Sequence, residues 1–322
     1  MNFTKIAGTG SYVPKKILTN NDLKAFVDTS DKWIRSRTGI LERRIVTDES
    51  TLDLAYKASI EAIKSAKIDK NLIDLIIVAT VTSDYAFPGV SQLLQAKLNI
   101  SDVTAFDINA ACSGFLYAMQ IADKMITSGN YHNALIIGAE TLTRLTDWRD
   151  RNTCVLFGDG AGAMIISESK ENNIKDIITG VEGDTKMLLY CKNPDIKNPE
   201  VNAISSQDHI HMKGSEVFKF ATRIMPKTIR KLLKRNDLSI KDLDYFVVHQ
   251  ANKRIIDKSA NDLGIDKDKI FLNIDKYGNT SAASVPIAID EAIKLKFLKK
   301  GDKFITVAFG GGLTWGGALI TL

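Results

Sequence analysis

Cys112, His249 and Asn279 carry the chemistry of this chain. Cys112 lies in Phe106-Asp107-Ile108-Asn109-Ala110-Ala111-Cys112-Ser113-Gly114-Phe115, where a β-like run ends in small residues. Apolar positions then recur at helical spacing (Phe115, Leu116, Met119, Ala122, Met125, Ile126). The pattern predicts a tight turn opening a buried helix, with the thiol at the helix N-terminus. Free backbone N–H groups and the positive end of the helix dipole favour thiolate over thiol there. Such a cysteine can be a nucleophile with no base touching it, and can hold an acyl group as a thioester. A lone cysteine is more commonly a small buried residue, so its setting must decide.

His249 follows the apolar run Tyr245–Val248 and begins His249-Gln250-Ala251-Asn252. Asn279 sits in Gly278-Asn279-Thr280-Ser281, a turn before a helix of small residues. Read alone, His249 is equally a satisfied core histidine, and Asn279 a turn or cap asparagine. Gly310-Gly311-Gly312 ends another apolar run, and its lack of side chains lets a backbone N–H approach a substrate closely. The N–H of Cys112 and one from this Gly310–Gly312 loop can then form an oxyanion hole. His249 and Asn279 both donate hydrogen bonds without bringing negative charge. Uncharged donors suit an enolate oxygen, such as forms when a malonyl group loses CO2. A protease-like base would instead need an acid on the histidine.

These residues must be carried to one place by strand ends. Helices are predicted over 51–66, 90–97 and 215–235, and buried strands over Ile73–Val81, Val103–Ile108 and Ala134–Ala139. A short strand is expected at Ile6–Gly10 and a helix start at Thr19–Asp22. The polar, Asn- and Lys-rich stretch 170–214 reads as a surface excursion, and Pro226 should kink its helix. The chain also echoes itself. Ile73–Ala79 aligns with Leu243–His249, and Leu135–Ala139 with Ile305–Phe309, both at an offset of 170 residues; Gly162–Ile165 resembles Gly317–Ile320 at an offset of 155. Repeated βα units predict a parallel-rich α/β architecture built twice and packed together. Cys112, His249 and Phe309 each fall at a strand's carboxyl end, where ligand sites of α/β folds gather.

At 322 residues the chain suits one large domain or two halves sharing a core. Its 44% hydrophobic and 25% charged residues mark an ordinary globular protein. A net charge of +5 is too weak to argue for nucleic acid. Three scattered cysteines with no CxxC spacing fit a reducing cytoplasm better than a disulfide framework. No secretory signal and no run of transmembrane length is apparent.

Other motifs compete for attention. Gly8-Thr9-Gly10 runs to Pro14 without the helix and third glycine of a dinucleotide loop; Gly158-Asp159-Gly160-Ala161-Gly162 lacks the Gly-Lys-Ser/Thr of a phosphate loop and reads as close backbone packing. Trp33 with Arg35 and Arg37 can sandwich a flat base, or form a salt-bridged surface loop. The 215–235 helix has a basic side of Lys219, Arg223, Lys227, Arg230, Lys231 and Lys234 opposed on the helix by Glu216, which fits an acidic partner. His209 and His211 would share a strand face, without a third ligand for a metal.

In this order, Ala111-Cys112-Ser113-Gly114, His249-Gln250-Ala251-Asn252 and Gly278-Asn279-Thr280-Ser281 resemble the catalytic motifs of β-ketoacyl-acyl carrier protein synthase III, a family of initiating condensing enzymes of bacterial fatty acid synthesis. The resemblance spans essentially the whole chain, from Ile6–Tyr12 to Gly311–Gly316. It implies a thiolase-like fold of five alternating αβαβα layers, with the nucleophile in a half spanning 1–172 and the His/Asn pair in a half spanning 173–322. It also implies a homodimer, an acyl-CoA donor (acetyl-CoA by default), acyl carrier protein as partner, and neither metal nor redox cofactor. By resemblance, Trp33 and Arg37 stack on the adenine of coenzyme A, and Arg151 and Asn252 contact the nucleotide end. Phe87 reaches the partner subunit's acyl pocket, and Leu142, Phe157, Leu189 and Phe309 size that pocket. Lys219 and Arg254 dock the carrier protein, with Gln250, Ala251, Asn252 and Lys253 on the same surface. Two other readings stay open: a related acyltransferase or condensing enzyme of secondary metabolism with a different acceptor, and a silent partner subunit, against which the presence of Cys112 counts.

Overall fold

The apolar run at Ile73–Val81 forms a strand over Leu75–Ala79 that is buried on both faces, which is why it shows no polar alternation. The computed structural model of the chain describes residues 2–193 and 208–322. Its first part runs β1 (Phe3–Tyr12), β2 (Lys16–Thr19), α1 (Asp31–Thr38), β3 (Glu42–Ile45), α2 (Thr51–Ala66), β4 (Leu75–Ala79), α3 (Val90–Leu98), β5 (Thr104–Ile108), α4 (Gly114–Thr127), β6 (Asn133–Thr141), α5 (Arg151–Cys154) and β7 (Asp159–Ser169). It continues with β8 (Ile174–Val181), β9 (Leu189–Tyr190), β10 (His211–Met212), α6 (Gly214–Arg235), β11 (Tyr245–Phe246), α7 (Lys253–Leu263), α8 (Ile274–Tyr277), α9 (Ser284–Lys294), β12 (Lys303–Gly310) and β13 (Thr314–Thr321).

The echo in the sequence becomes two sheets of one design. The first has strand order β1-β7-β6-β4-β5, with β4 parallel to β5 and β6, and β7 antiparallel to β1 and β6. The second has order β8-β13-β12-β11, with β11 parallel to β12, and β13 antiparallel to β12 and β8. A parallel bridge from Phe246 to Ile270 stands where β5 stands in the first sheet. Strand β6 begins at Asn133 and β12 at Lys303, which is the offset of 170 residues read from the sequence.

Alternation along each strand sets the layers. Leu75 and Ile77 of β4 pack with Phe115 and Met119 of α4, with Val285 and Ile289 of α9, and with Phe304 and Ala318 of the second sheet. Ile76 and Val78 face the other way, onto Leu54, Ala58 and Ala62 of α2 and Leu94 of α3. Ile305, Val307 and Leu319 turn outward onto Ile224, Ile229 and Leu232 of α6 and Ile256 of α7. The result is helix, sheet, helix, sheet, helix: the five-layer thiolase-like arrangement. A fully buried Phe115 or Phe304 contributes about 1.5–3 kcal/mol.

Three expectations change. Thr19–Asp22 opens only a short 3-10 turn over Asp22–Ala25. The stretch 170–214 is not all surface excursion: Ile174 to Val181 is strand β8, masked in the sequence by its polar neighbours, although 194–207 lie outside the described residues. Helix α6 is one continuous element with Pro226 inside it. Its basic side is also less isolated than its own sequence implies, because the fold sets Glu182 against Arg223 and Lys227, and Asp176 against Arg235.

Both glycine motifs are packing devices. A Cβ on Gly10 would lie 2.3 Å from the Ala62 backbone N, and one on Gly162 would lie 2.7 Å from that of Ile287. Among the described residues, no helix is long and apolar enough to cross a membrane.

Candidate active site

The chain from β5 to α4 is bent by one residue. Ala111 has φ +46°, a left-handed conformation that costs a non-glycine residue about 1–3 kcal/mol. Asn109 holds the bend by accepting the Ala111 N–H on its Oδ1 at 3.2 Å. A 3-10 turn over Ala111–Ser113 then feeds α4, so Cys112 stands two residues before the α-helix proper. The second half repeats the device: Ser281 has φ +50°, and Asn279 Oδ1 accepts the Ser281 N–H at 2.9 Å. Asn279 is therefore both the turn asparagine and the candidate donor. Its oxygen is used by the turn, and its Nδ2 makes no hydrogen bond among the described residues.

The duplicated scaffold carries the chemistry once. At the 170-residue offset Cys112 falls on Ala282, and His249 on Ala79. These small echoes let the halves meet: a Cβ on Gly114 would lie 3.0 Å from the Ala79 Cβ and 3.9 Å from the Ala282 Cβ. Gly310, at the end of β12, is tied to the nucleophile rather than to a ligand. A side chain there would come within 2.6 Å of the Cys112 N and 2.9 Å of its Cβ. Thr314 Oγ1 donates toward the Ala110 carbonyl at 2.9 Å and Ser113 Oγ bonds Thr314 Oγ1 at 2.6 Å, which locks the glycine loop to the nucleophile turn. No turn, cap or side-chain hydrogen bond among the described residues takes the N–H of Cys112 or of Gly311.

Burial works against the expected thiolate. Burial pushes the Cys112 thiol up to about 11, and the charge of Glu140 acts in the same direction; the Ser281 side chain and the backbone N–H of Cys112 itself only partly oppose this. Desolvation of a residue only 7% exposed is the largest of these effects, and the α-helix proper starts two residues later. His249 is placed by its N–H, which donates to the Val307 carbonyl at 2.8 Å and extends the β11–β12 pairing. Its ring meets Phe309 edge-on at 5.4 Å. Burial alone pushes the imidazole down to about 3, and Nδ1 has no hydrogen-bond partner. It is a neutral imidazole with no acid behind it.

Cys112, His249 and Asn279 line one cavity of about 570 Å³. Phe157, Leu189 and Phe309 wall its inner part; Trp33, Arg37, Arg151, Asn252, Ala251, Lys219 and Arg254 surround its mouth. A larger groove of about 1200 Å³ runs along Lys5–Thr9 and Glu168–Glu171, but its lining contains no cysteine or histidine.

Several expected contacts change on inspection. The guanidinium over the Trp33 indole is that of Arg151, 4.9 Å from the ring centroid, and Arg37 lines the same cavity. Gln250 cannot join a docking surface. It is buried, its Nε2 donates to the Val248 and Phe271 carbonyls, and its Oε1 accepts from the N–H groups of Asn273 and Ile274. Truncation would strand four buried backbone groups at about 1–3 kcal/mol each. Lys253 neutralises Asp257 one turn along α7, at 2.7 Å, so it adds little free charge. Leu142 packs with Leu145, Leu156 and Phe157 but does not line the cavity. Asn252 is the α7 cap, its Oδ1 accepting the Arg254 N–H at 2.9 Å, and it also reaches the mouth. Phe87 is 88% exposed and lies outside the cavity of its own chain. His211 bonds Asp208 at 2.9 Å and stacks on Tyr190, and His209 precedes β10 rather than sharing a strand face with it.

Sequence reading missed Phe218, whose ring lies under the Arg254 guanidinium at 5.4 Å and forms part of the mouth. It also missed Glu140 and Ser281 behind the nucleophile. A charged residue at the end of the apolar run Ala134–Ala139 was the available signal for Glu140.

Comparison with known proteins follows the same geometry. The family described as 3-oxoacyl-[acyl-carrier-protein (ACP)] synthase III matches residues 106–183, and its C-terminal counterpart matches residues 233–322. The chain is 49% identical to the β-ketoacyl-[acyl-carrier-protein] synthase III of Clostridium acetobutylicum, over 99% of each chain. Among solved structures it is similar to the 3-oxoacyl-[acyl-carrier-protein] synthase III of Aquifex aeolicus, with a TM-score of 0.93 at 47% identity over 99% of this chain and 100% of that one. The priming β-ketosynthase of a polyketide biosynthetic pathway superposes with a TM-score of 0.93 at 32% identity, over 99% of this chain and 96% of the other.

Proposed function

The chain belongs to the β-ketoacyl-[acyl-carrier-protein] synthase III family and is an initiating condensing enzyme of fatty acid synthesis, and from that premise we propose how its residues divide the reaction. The observation that carries the proposal is the gathering of Cys112, His249 and Asn279 at the floor of one cavity whose mouth holds an indole–guanidinium pair and a basic rim.

An acyl-CoA, acetyl-CoA by default, enters with its adenine against Trp33 and Arg37 and its nucleotide end near Arg151. Its acyl group passes to Cys112 Sγ and free CoA leaves. The acyl chain lies against Phe157, Leu189 and Phe309; the exposed Phe87 completes the pocket of a second copy in a homodimer. Malonyl-acyl carrier protein then docks on Arg254 and Lys219. Decarboxylation yields an enolate whose oxygen accepts hydrogen bonds from the neutral His249 and from Asn279 Nδ2. The enolate carbon attacks the Cys112 thioester, and the N–H groups of Cys112 and Gly311 hold the tetrahedral oxyanion. The product is a 3-oxoacyl-acyl carrier protein. No step here calls on a metal or redox cofactor, and three free cysteines fit a cytoplasmic setting.

The direct test mixes the protein with acetyl-CoA and either malonyl-acyl carrier protein or malonyl-CoA and reads products by mass. Acetoacetyl-carrier protein is the expected product; exclusive use of malonyl-CoA or of a small acceptor would move the chain to a different acceptor chemistry. Docking has its own signature. Arg254 has no carboxylate partner among the described residues, and Lys219 is 71% exposed beside Glu216. Arg254→Glu and Lys219→Glu are each expected to raise the carrier-protein KM by about tenfold, through lost steering and rim contact, with acyl loading changing far less. Steady-state kinetics with each substrate varied in turn checks this.

A further inference from the structure

We propose that Gln250 is a positioning residue for malonyl decarboxylation: it holds His249 and Asn279 at the spacing from which both donate to one enolate oxygen. The inference rests on the enolate-donor reading above.

Two donors aimed at one oxygen need a fixed separation, because hydrogen bonds weaken steeply with distance and angle. Here the two hang from different halves of the molecule. The His249 N–H donates to the Val307 carbonyl of β12, in the second sheet, at 2.8 Å. The Asn279 N–H donates to the Leu156 carbonyl at 2.9 Å, and its carbonyl accepts the Gly158 N–H at 3.0 Å, just before β7 of the first sheet. A small shift of one half against the other would spoil the pair unless something ties them directly.

Gln250, the residue after His249, makes that tie. Its Oε1 accepts the N–H groups of Asn273 at 3.1 Å and Ile274 at 3.2 Å, where α8 begins. Its own N–H donates to Ser284 Oγ at 2.8 Å, where α9 begins. Ile274 lies five positions before Asn279, and Ser284 five positions after it. One residue therefore grips both flanks of the segment that carries Asn279. Its Nε2 donates to the carbonyls of Val248 at 2.8 Å and Phe271 at 3.2 Å, which fixes the amide against the chain just before His249. Both donors and both acceptor sites of the amide are used, and Gln250 and Ser284 are buried. Gln250 does not line the cavity, so it acts through its neighbours and not on substrate.

The duplicated scaffold shows that the βα unit does not itself require this brace. At the offset of 170 residues Gln250 falls on Thr80, and Ser284 on Gly114. The half that carries the nucleophile thus builds its strand, turn and helix without the amide, and the Thr80 hydroxyl bonds Glu140 at 3.2 Å instead. The brace stands in the half where two donors must be matched. Loss of it should leave acylation of Cys112 intact and slow the step that uses the donor pair.

The test measures two rates per active site, with sites counted from the final acyl adduct by intact mass. One is single-turnover acylation by acetyl-CoA. The other is release of labelled CO2 from malonyl-acyl carrier protein by the preformed acyl-enzyme, with the carrier protein varied. Gln250→Met replaces the amide with an apolar chain of similar length. It should lower decarboxylation at saturating carrier protein about 100-fold, with acylation and the half-saturating carrier-protein concentration within about threefold of wild type. Ser284→Ala removes the acceptor of the Gln250 N–H alone; it should lose about tenfold in the same rate, and it carries the test if Gln250→Met fails to fold. A role confined to the fold would reduce the number of active sites or slow both rates in parallel. A docking role would raise the half-saturating concentration and spare the saturating rate. Either result, or wild-type rates in the folded variants, overturns the positioning role and leaves the donor reading standing. Wild-type decarboxylation by His249→Ala or Asn279→Asp would remove the donor reading and this inference with it.

Discussion

Cys112→Ser is expected to take up no acyl group from acetyl-CoA and to lose condensation by at least on the order of 10⁴-fold. Every other part of the site survives this change: the bend at Ala111, the Gly310 contact and the two N–H groups of the oxyanion site do not depend on the sulfur. What is lost is the nucleophile. A serine hydroxyl in this desolvated position has no strong base beside it, since His249 is neutral without an acid and the thiol already titrates near 11. Intact-mass measurement after brief incubation shows an acetyl adduct on the wild type alone. Equal adduct on the variant would place the acyl group elsewhere and remove Cys112 from the mechanism.

His249→Ala and Asn279→Asp are expected to form the acyl-enzyme at near the wild-type extent, yet each lose malonyl decarboxylation by about 10²–10³-fold, the usual cost of one oxyanion donor. Aspartate is the informative replacement. It keeps the oxygen that accepts the Ser281 N–H, so the turn stands, and replaces the donor Nδ2. Alanine would also release the turn and blur the result. A pH consequence follows. Because burial holds the His249 imidazole near 3, it stays neutral throughout pH 6–8, and protonation would set in only far below that range. Condensation from a preformed acyl-enzyme should therefore show no acid limb near 6.5 belonging to this histidine. Release of labelled CO2 from malonyl-acyl carrier protein reads both effects; full decarboxylation by either variant would break the assigned division of labour.

Much of this site was legible because local order carries it. The nucleophile turn, the helix behind it, and the motifs at His249 and Asn279 each announce themselves through a switch in apolar period or a cluster of turn residues. The repeat offset was legible too, since Leu135–Ala139 and Ile305–Phe309 must satisfy the same two-sided burial. The errors have physical causes. Gln250 stands on the docking surface only by resemblance, and its four backbone partners, three of them in the distant Phe271–Ile274 segment, explain its burial. Strand β8 hid because an edge strand with polar neighbours lacks the apolar run of a central one. Arg151 faces Trp33 across 118 positions of chain, a pairing no local pattern encodes.

By itself the sequence determined the residue types of the chemistry, the elements that carry them and the doubling of the βα scaffold, because helix and strand periods and turn propensities act over a few neighbouring residues. The tertiary structure alone decided the protonation states and the neighbours. Burial and the charge of Glu140 raised the Cys112 thiol, burial left His249 neutral, and the fold set a buried carboxyl near the nucleophile. Desolvation and contacts between groups far apart in the chain depend on which surfaces the fold removes from water, and no local stretch of sequence contains that information.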